Sequence, residues 1–189
     1  MEATRVARFY DGSSDEDTAR VRIGTTLRSL RGRSIIRNTR GFVTVDISID
    51  VEAGHISGFS GLGKERKVYD ERVELPEGTY WGPLIFMVIK NFEANAVENR
   101  LVFRTVVPTP KPRVIDMELL RKDKITVHRA GASIAAVHFV LRPTVNWLVD
   151  PIIRMVAPDT DFFVEPGAPP ALVLFAGPRN FAKQKIRIE

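Results

Sequence analysis

Gly41-Phe42-Val43-Thr44-Val45-Asp46-Ile47-Ser48-Ile49-Asp50-Val51 decides the fold class. Val43, Val45, Ile47, Ile49 and Val51 fall on one side of an extended chain, and Thr44, Asp46, Ser48 and Asp50 fall on the other. Successive side chains of a strand point to opposite faces, so this alternation is a half-buried strand with one wet side. A helix, repeating every ~3.6 residues, would scatter the two sets around its circumference.

Shorter alternation recurs at Ala19 to Leu27, at Leu101 to Val107 and at Lys185 to Ile188. Turn chemistry separates these runs: Asp11-Gly12, Glu52-Ala53-Gly54, Pro76-Glu77-Gly78, Pro108 to Pro112 and Ala130-Gly131 supply glycine for positive φ or proline for a preset φ. Spacings of some ten to twenty residues suit a meander. The expectation is a mostly β protein, a single antiparallel, strongly curved sheet closing into a half-barrel or barrel. With 189 residues, no internal repeat and no linker, the chain reads as one β domain over 1–189, able to bury roughly 70% of its unfolded surface.

Ser133 to Leu141 departs from half-buried alternation. Ala135, Val137, Phe139 and Leu141 occupy one face and Ile134, Ala136, His138 and Val140 the other, so both faces are dry and both need cover. The expected cover is a helical segment over 144–157. Val145, Trp147, Leu148, Ile152, Met155 and Val156 have helical spacing, with Asp150-Pro151 as cap and first-turn proline and Pro158 as a stop. The run Gly82 to Ile89 has no period and reads as a buried strand. Tyr80, Trp81, Phe86, Met87, Trp147, Met155, Phe162 and Phe163 suffice for an ordinary core or for the lining of a cavity. In the cavity reading the ligand-binding residues are Trp81, Phe86, His138, Phe139, Trp147 and Met155.

Composition narrows the chemistry. Without cysteine there is no disulfide, no thiolate metal site and no cysteine nucleophile. No run reaches the roughly 18–20 apolar residues of a membrane helix, so the chain is not expected to span a bilayer. It is periplasmic or secreted if Met1 is a start placed on a processed chain, and cytoplasmic otherwise. The net charge of +5 raises the question of nucleic acid. Arginines 20, 22, 28, 31, 33, 37 and 40 are, however, followed by Asp46, Asp50 and Glu52 and lack interleaved aromatics, which points to a solvated strand face and no nucleic-acid partner.

Several site motifs are approached and missed. Gly58-Phe59-Ser60-Gly61-Leu62-Gly63-Lys64 has phosphate-loop spacing, but Glu65 replaces the hydroxyl that would bind magnesium. The same stretch puts Leu62 where a nucleophile elbow needs glycine. Asp11, Ser13, Asp15 and Asp17 resemble calcium-loop oxygens, but Arg22 stands at the position of the bidentate glutamate, so they read as an acidic surface turn. His55, His128 and His138 have no metal-ligand spacing. No cofactor and no metal are therefore expected. If the chain is an enzyme, the acid–base candidates are His138 with Asp116 or Glu118, two carboxylates on one strand face, against the plainer reading of charges opposed by Arg104 or Arg113.

Leu75-Pro76-Glu77-Gly78-Thr79-Tyr80, then long strands, then Pro169-Pro170-Ala171-Leu172-Val173-Leu174-Phe175-Ala176-Gly177-Pro178 before Ile186-Arg187-Ile188 resembles uncharacterised bacterial periplasmic proteins related to lipoprotein-carrier half-barrels. The resemblance covers about the last two thirds of the chain. It implies a curved antiparallel sheet closed on its concave side by a helix, with an apolar groove for acyl chains. The leading functional expectation is noncatalytic binding of a hydrophobic small molecule or lipid in a barrel or half-barrel cavity. The rivals are an enzyme with a His/carboxylate pair acting on a small apolar substrate, and a self-associating interaction domain forming a homodimer.

Overall fold

The computed structural model describes residues 1–24, 27–95, 98–107, 113–129, 131–144, 159–178 and 185–188. They form a mostly β protein with one α-helix among the described residues. Two sheets are present where one was expected. The chain divides into two compact units, Met1–Ile85 with Arg104–Ile115, and Phe86–Phe103 with Asp116–Glu189.

The first unit is built on a six-stranded antiparallel meander, β1 (Glu2–Arg8), β2 (Ser14–Ile23), β3 (Leu27–Arg37), β4 (Val43–Asp50), β5 (His55–Ser60) and β6 (Lys67–Arg72), neighbours in sequence being neighbours in space. The deciding stretch behaves as read: Ile47 and Ile49 are buried and Val45 and Val51 pack beside them. Their cluster also contains Ile56, Tyr69, Trp81 and Val106. Trp81 lies on Gly32, where a Cβ would stand 2.3 Å from an indole carbon, so only glycine leaves room for the ring. One irregularity sets the face of the start of β3. Arg20 pairs with Arg31 but Val21 pairs with Ser29, which leaves Leu30 as an extra residue in a β-bulge and turns Ser29 to the inner face beside Val21.

Asp11, Ser13, Asp15 and Asp17 correct the expectation of an acidic surface turn. Ser13, Asp15 and Asp17 are 3, 3 and 5% exposed and alternate inward along the start of β2 with Ala19 and Val21. Only Asp11 stays at the turn, accepting the Ser13 backbone N–H at 2.9 Å. The glycine-rich stretch after Gly58 contains no phosphate loop. It closes β5 onto β6 through one short 3-10 turn, Gly63–Glu65. Gly58 has φ +133°, and a Cβ there would meet the Asp46 carbonyl oxygen at 2.0 Å.

The second sheet has the order β13-β12-β11-β10-β9-β8-β7 and is strongly curled into a half-barrel. Its strands are β7 (Thr79–Tyr80), β8 (Arg100–Val107), β9 (Arg113–Arg129), β10 (Ala132–Pro143), β11 (Thr160–Glu165), β12 (Ala171–Pro178) and β13 (Lys185–Ile188). The β7–β8 pair is parallel, and it belongs to the first unit together with Val106 and Val114.

Gly82 to Ile89 is not a strand. It opens the helix α1 (Leu84–Asn95), in which Leu84, Val88 and Ile89 are buried. Their i, i+4, i+5 spacing, extended by Phe92, is a helix stripe that the unbroken apolar run hides. In the second unit α1 lays Phe86 against Phe162 and Phe175, at ring-centroid distances of 5.6 and 6.0 Å, and Phe92 against Phe139 at 6.0 Å. Phe139, Phe162 and Phe175 stand in register across β10, β11 and β12, so the helix caps one cross-strand aromatic row. Val127, Ala136, Val173 and Leu174, with Ile134 and Phe163, form a separate cluster. From Ala136 to Leu141 strand β10 is covered on both faces, His138 only partly, whereas Ala135, expected to be dry, is exposed. The helical segment expected over 144–157 lies outside the described residues.

Candidate functional site

Phe86 and Phe139 are members of the aromatic core under α1. Trp81 belongs to the first unit and is 4% exposed. Trp147 and Met155 lie outside the described residues.

His138 has a carboxylate partner, but neither of those expected. Its Nε2 lies 2.8 Å from Asp161 Oδ1, on the neighbouring strand, and its ring stacks on Phe163 with centroids 4.7 Å apart. Glu118 is buried and bound by two arginines, Arg142 through Nε at 2.7 Å and Arg100. Its cross-strand partner is Arg142, four residues from His138, or about 13 Å along the strand. Asp116 is exposed, and its carbonyl accepts the Thr144 N–H at 2.8 Å. Arg100 and Arg142 therefore oppose the buried Glu118 carboxylate.

On the outer face of the meander the arginine-studded reading is met in detail. Arg33 makes two 2.8 Å hydrogen bonds to Asp46, Arg31 lies 3.0 Å from Asp50 and Arg22 3.8 Å from Glu52. The hydrogen bond from Arg33 holds the Asp46 carboxyl below its ordinary pKa, and the same bond raises that of Arg33. Asp50 is lowered mainly by the backbone N–H of Ala53. Three of the seven arginines of this stretch are thus answered by carboxylates within the sheet.

On the inner face, Asp17 is held by Arg5, whose Nε donates at 2.9 Å, and by the Ser34 hydroxyl at 2.6 Å. Gly82 packs over the same side chain. Asp17, Arg5 and Ser34 are direct cross-strand partners, so the network follows from register alone. It is a satisfied structural cluster.

One concavity among the described residues lies at the end of the first unit where β3 begins. It has a volume of about 290 Å³ and is lined by Leu27 and Ser29 of β3, Val51 and Glu52 of the β4–β5 turn, Leu75 to Gly78 and the residues of β7. A second hollow of about 360 Å³ shares Val51, Glu52 and Leu75 with it and continues to Gly54 and Arg72. The walls are set by turn chemistry. Asp50 accepts the Ala53 N–H at 3.0 Å, Val73 N–H binds Gly54 O at 2.8 Å, and Thr79 binds Pro76 O through its hydroxyl at 2.6 Å. Gly54, at φ +60°, allows the turn to press on Val73, whose carbonyl oxygen would lie 2.7 Å from a Cβ there.

Two features mark this pocket. The Ser29 hydroxyl is buried and has no hydrogen-bond partner among the described residues, an uncommon and costly state for a polar group. Tyr80, at the opposite wall, has its phenol pKa raised by burial and, second, by the Glu77 carboxylate. Sequence reasoning missed Ser29 because the Leu30 bulge alone turns it inward. Glu77 and Tyr80 were visible only as turn and bulk.

Among the described residues no group of three histidine, aspartate or glutamate side chains could hold a metal ion, and no helix is long and apolar enough to cross a membrane. In comparisons with known proteins, no family model, no curated protein and no solved structure matches the chain.

Proposed function

We propose that this protein is a noncatalytic binding domain whose first unit takes a small, partly apolar molecule in the pocket between the start of β3, the β4–β5 turn and the 75–80 segment. The buried, unpartnered Ser29 hydroxyl carries the reading: a ligand atom that bonds it removes a desolvation cost borne by the empty protein. Leu27, Val51, Leu75 and Pro76 supply apolar wall, worth roughly 25 cal/mol per Å² of apolar ligand surface before association costs. Glu52, Glu77 and Arg28 give the rim charge for orientation.

A volume near the lower end of known ligand sites favours a compact molecule over a long acyl chain. The acyl-chain reading also loses its most direct seat, because α1 fills the face of the half-barrel strands that carries Phe139, Phe162 and Phe175.

Native mass spectrometry of the purified protein, with extraction of whatever it releases, names the ligand. Ser29→Ala then tests the pocket. Removing the orphan hydroxyl stabilises the empty protein by about 1 kcal/mol and weakens the extracted ligand at least fivefold. Unchanged affinity in that variant refutes the reading.

A further inference from the structure

In an antiparallel meander the connections alternate between the two ends of the sheet. The β1–β2, β3–β4 and β5–β6 connections therefore share the end opposite the pocket. Each presents a large apolar side chain to solvent: Tyr10 is 113% exposed, Phe42 60% and Leu62 45%. The turns are rigid in their own right. Asn38 Oδ1 accepts the N–H groups of Arg40 and Phe42, Gly12 N–H binds Phe9 O, and the first two turns touch where Gly12 approaches Thr39 O. With strands ~4.8 Å apart, alternate turns stand about 10 Å apart, so the three apolar tips span about 20 Å.

Scattered single apolar groups are normal on a surface; one on each of three adjacent turn tips makes a row of apolar groups along one end of the sheet. Its charge is one-sided. Arg8, Arg40, Lys64, Arg66 and Lys67 are exposed at the same end, against the exposed carboxylates of Asp11 and Glu65. Arg66 already lies 3.8 Å over the Phe59 ring, which keeps one cation beside the apolar tips. Five basic side chains here stand against two exposed acids.

We infer that this end of the meander docks on an anionic lipid surface, with Tyr10, Phe42 and Leu62 entering the headgroup boundary and the five basic side chains meeting lipid phosphates and carboxylates. Interfacial binding grows with buried apolar area and with attraction to anionic lipid, and aromatic rings favour that boundary. The aliphatic Leu62 tip offers a base no ring to stack on but adds apolar area for a bilayer, which favours the lipid surface over single-stranded nucleic acid.

The test is co-sedimentation of the full chain with vesicles of phosphatidylcholine alone or with about one third phosphatidylserine, together with the triple variant Tyr10→Ser/Phe42→Ser/Leu62→Ser and the double variant Arg40→Glu/Lys64→Glu. Binding to the anionic vesicles is expected. The triple variant is expected to lose at least tenfold in affinity, and each basic residue removed about fivefold. All the altered side chains are exposed, so the melting temperature serves as a folding control and stays within a degree or two. Three results overturn the inference: no binding to anionic vesicles, binding that the triple variant retains, or vesicle binding weaker than that of a single-stranded oligonucleotide at equal salt.

Discussion

Replacing Gly32 by alanine puts the packing of the first unit to a direct test. The new Cβ would lie 2.3 Å from Trp81 Cδ1, 2.9 Å from Nε1 and 3.1 Å from an Ile49 methyl. Carbon–carbon contacts settle near 3.5–4 Å, so the indole must retreat by more than about 1 Å. It has little room, since Trp81 is buried among Ile47, Ile49, Ile56, Tyr69 and Val106. Overpacking of this kind costs about 1–3 kcal/mol, while exchanging glycine for alanine in a strand returns about 0.5–1 kcal/mol of unfolded-chain entropy. The net expectation is destabilisation by about 1–2 kcal/mol, read from urea denaturation followed by circular dichroism. In a Trp81→Ala background only the 3.1 Å approach to the Ile49 methyl remains and the same change becomes close to neutral, so the double-mutant cycle shows coupling of at least ~1 kcal/mol. If Gly32→Ala costs the same with and without the indole, the ring does not rest on Gly32 and the packing argument fails.

Asp17→Asn keeps the shape of a side chain only 7% exposed but weakens its bonds from Arg5 and Ser34, for a loss of about 1.5–3 kcal/mol in urea denaturation. Stability equal to the parent's would show the network to be idle. Asp46 and Asp50 have depressed pKa values in the folded chain, so their contribution is complete above the unfolded value of roughly 3.9 and is lost as pH falls through the lower folded values. Thermal melts in acid should show this loss shrinking in Asp46→Asn. Tyr80 is shifted the other way: its neutral form is favoured in the folded state, so stability present below the ordinary tyrosine value of about 10 fades as pH rises past the raised one. Phenolate absorbance should titrate late, and Glu77→Gln should bring it part of the way back, burial being the larger cause.

What the sequence makes legible is whatever repeats over short range. Val43 to Val51 announces its strand and its faces, and the arginines of β3 facing the aspartates of β4 follow once the two are paired as a hairpin. Where the period is drowned, reading fails: six consecutive apolar residues from Leu84 hide the stripe that Leu84, Val88, Ile89 and Phe92 make in α1. Buried acids mislead in a different way. Asp15 and Asp17 look like solvent-facing residues because Arg5, which makes the burial of Asp17 tolerable, sits twelve residues away on another strand. His138 stands out in the sequence as the one polar residue on an apolar face, yet its partner, Asp161, is 23 residues downstream and is defined by the register of β10 on β11. The pocket depended on the extra residue in β3, for which the local sequence carries no distinctive mark.

That extra residue has a consequence for how the chain can change in length. A one-residue insertion or deletion inside a regular strand exchanges its inner and outer faces on one side of the change. Leu30 is different, because Ser29 already stands opposite Val21 and Arg31 opposite Arg20. Deleting it would close the gap between two segments whose facing is already correct. Sequences descended from this one can therefore lose or regain a codon here and keep both the meander and its two surfaces, whereas the same event at Ser34 or Ile47 would turn the core outward.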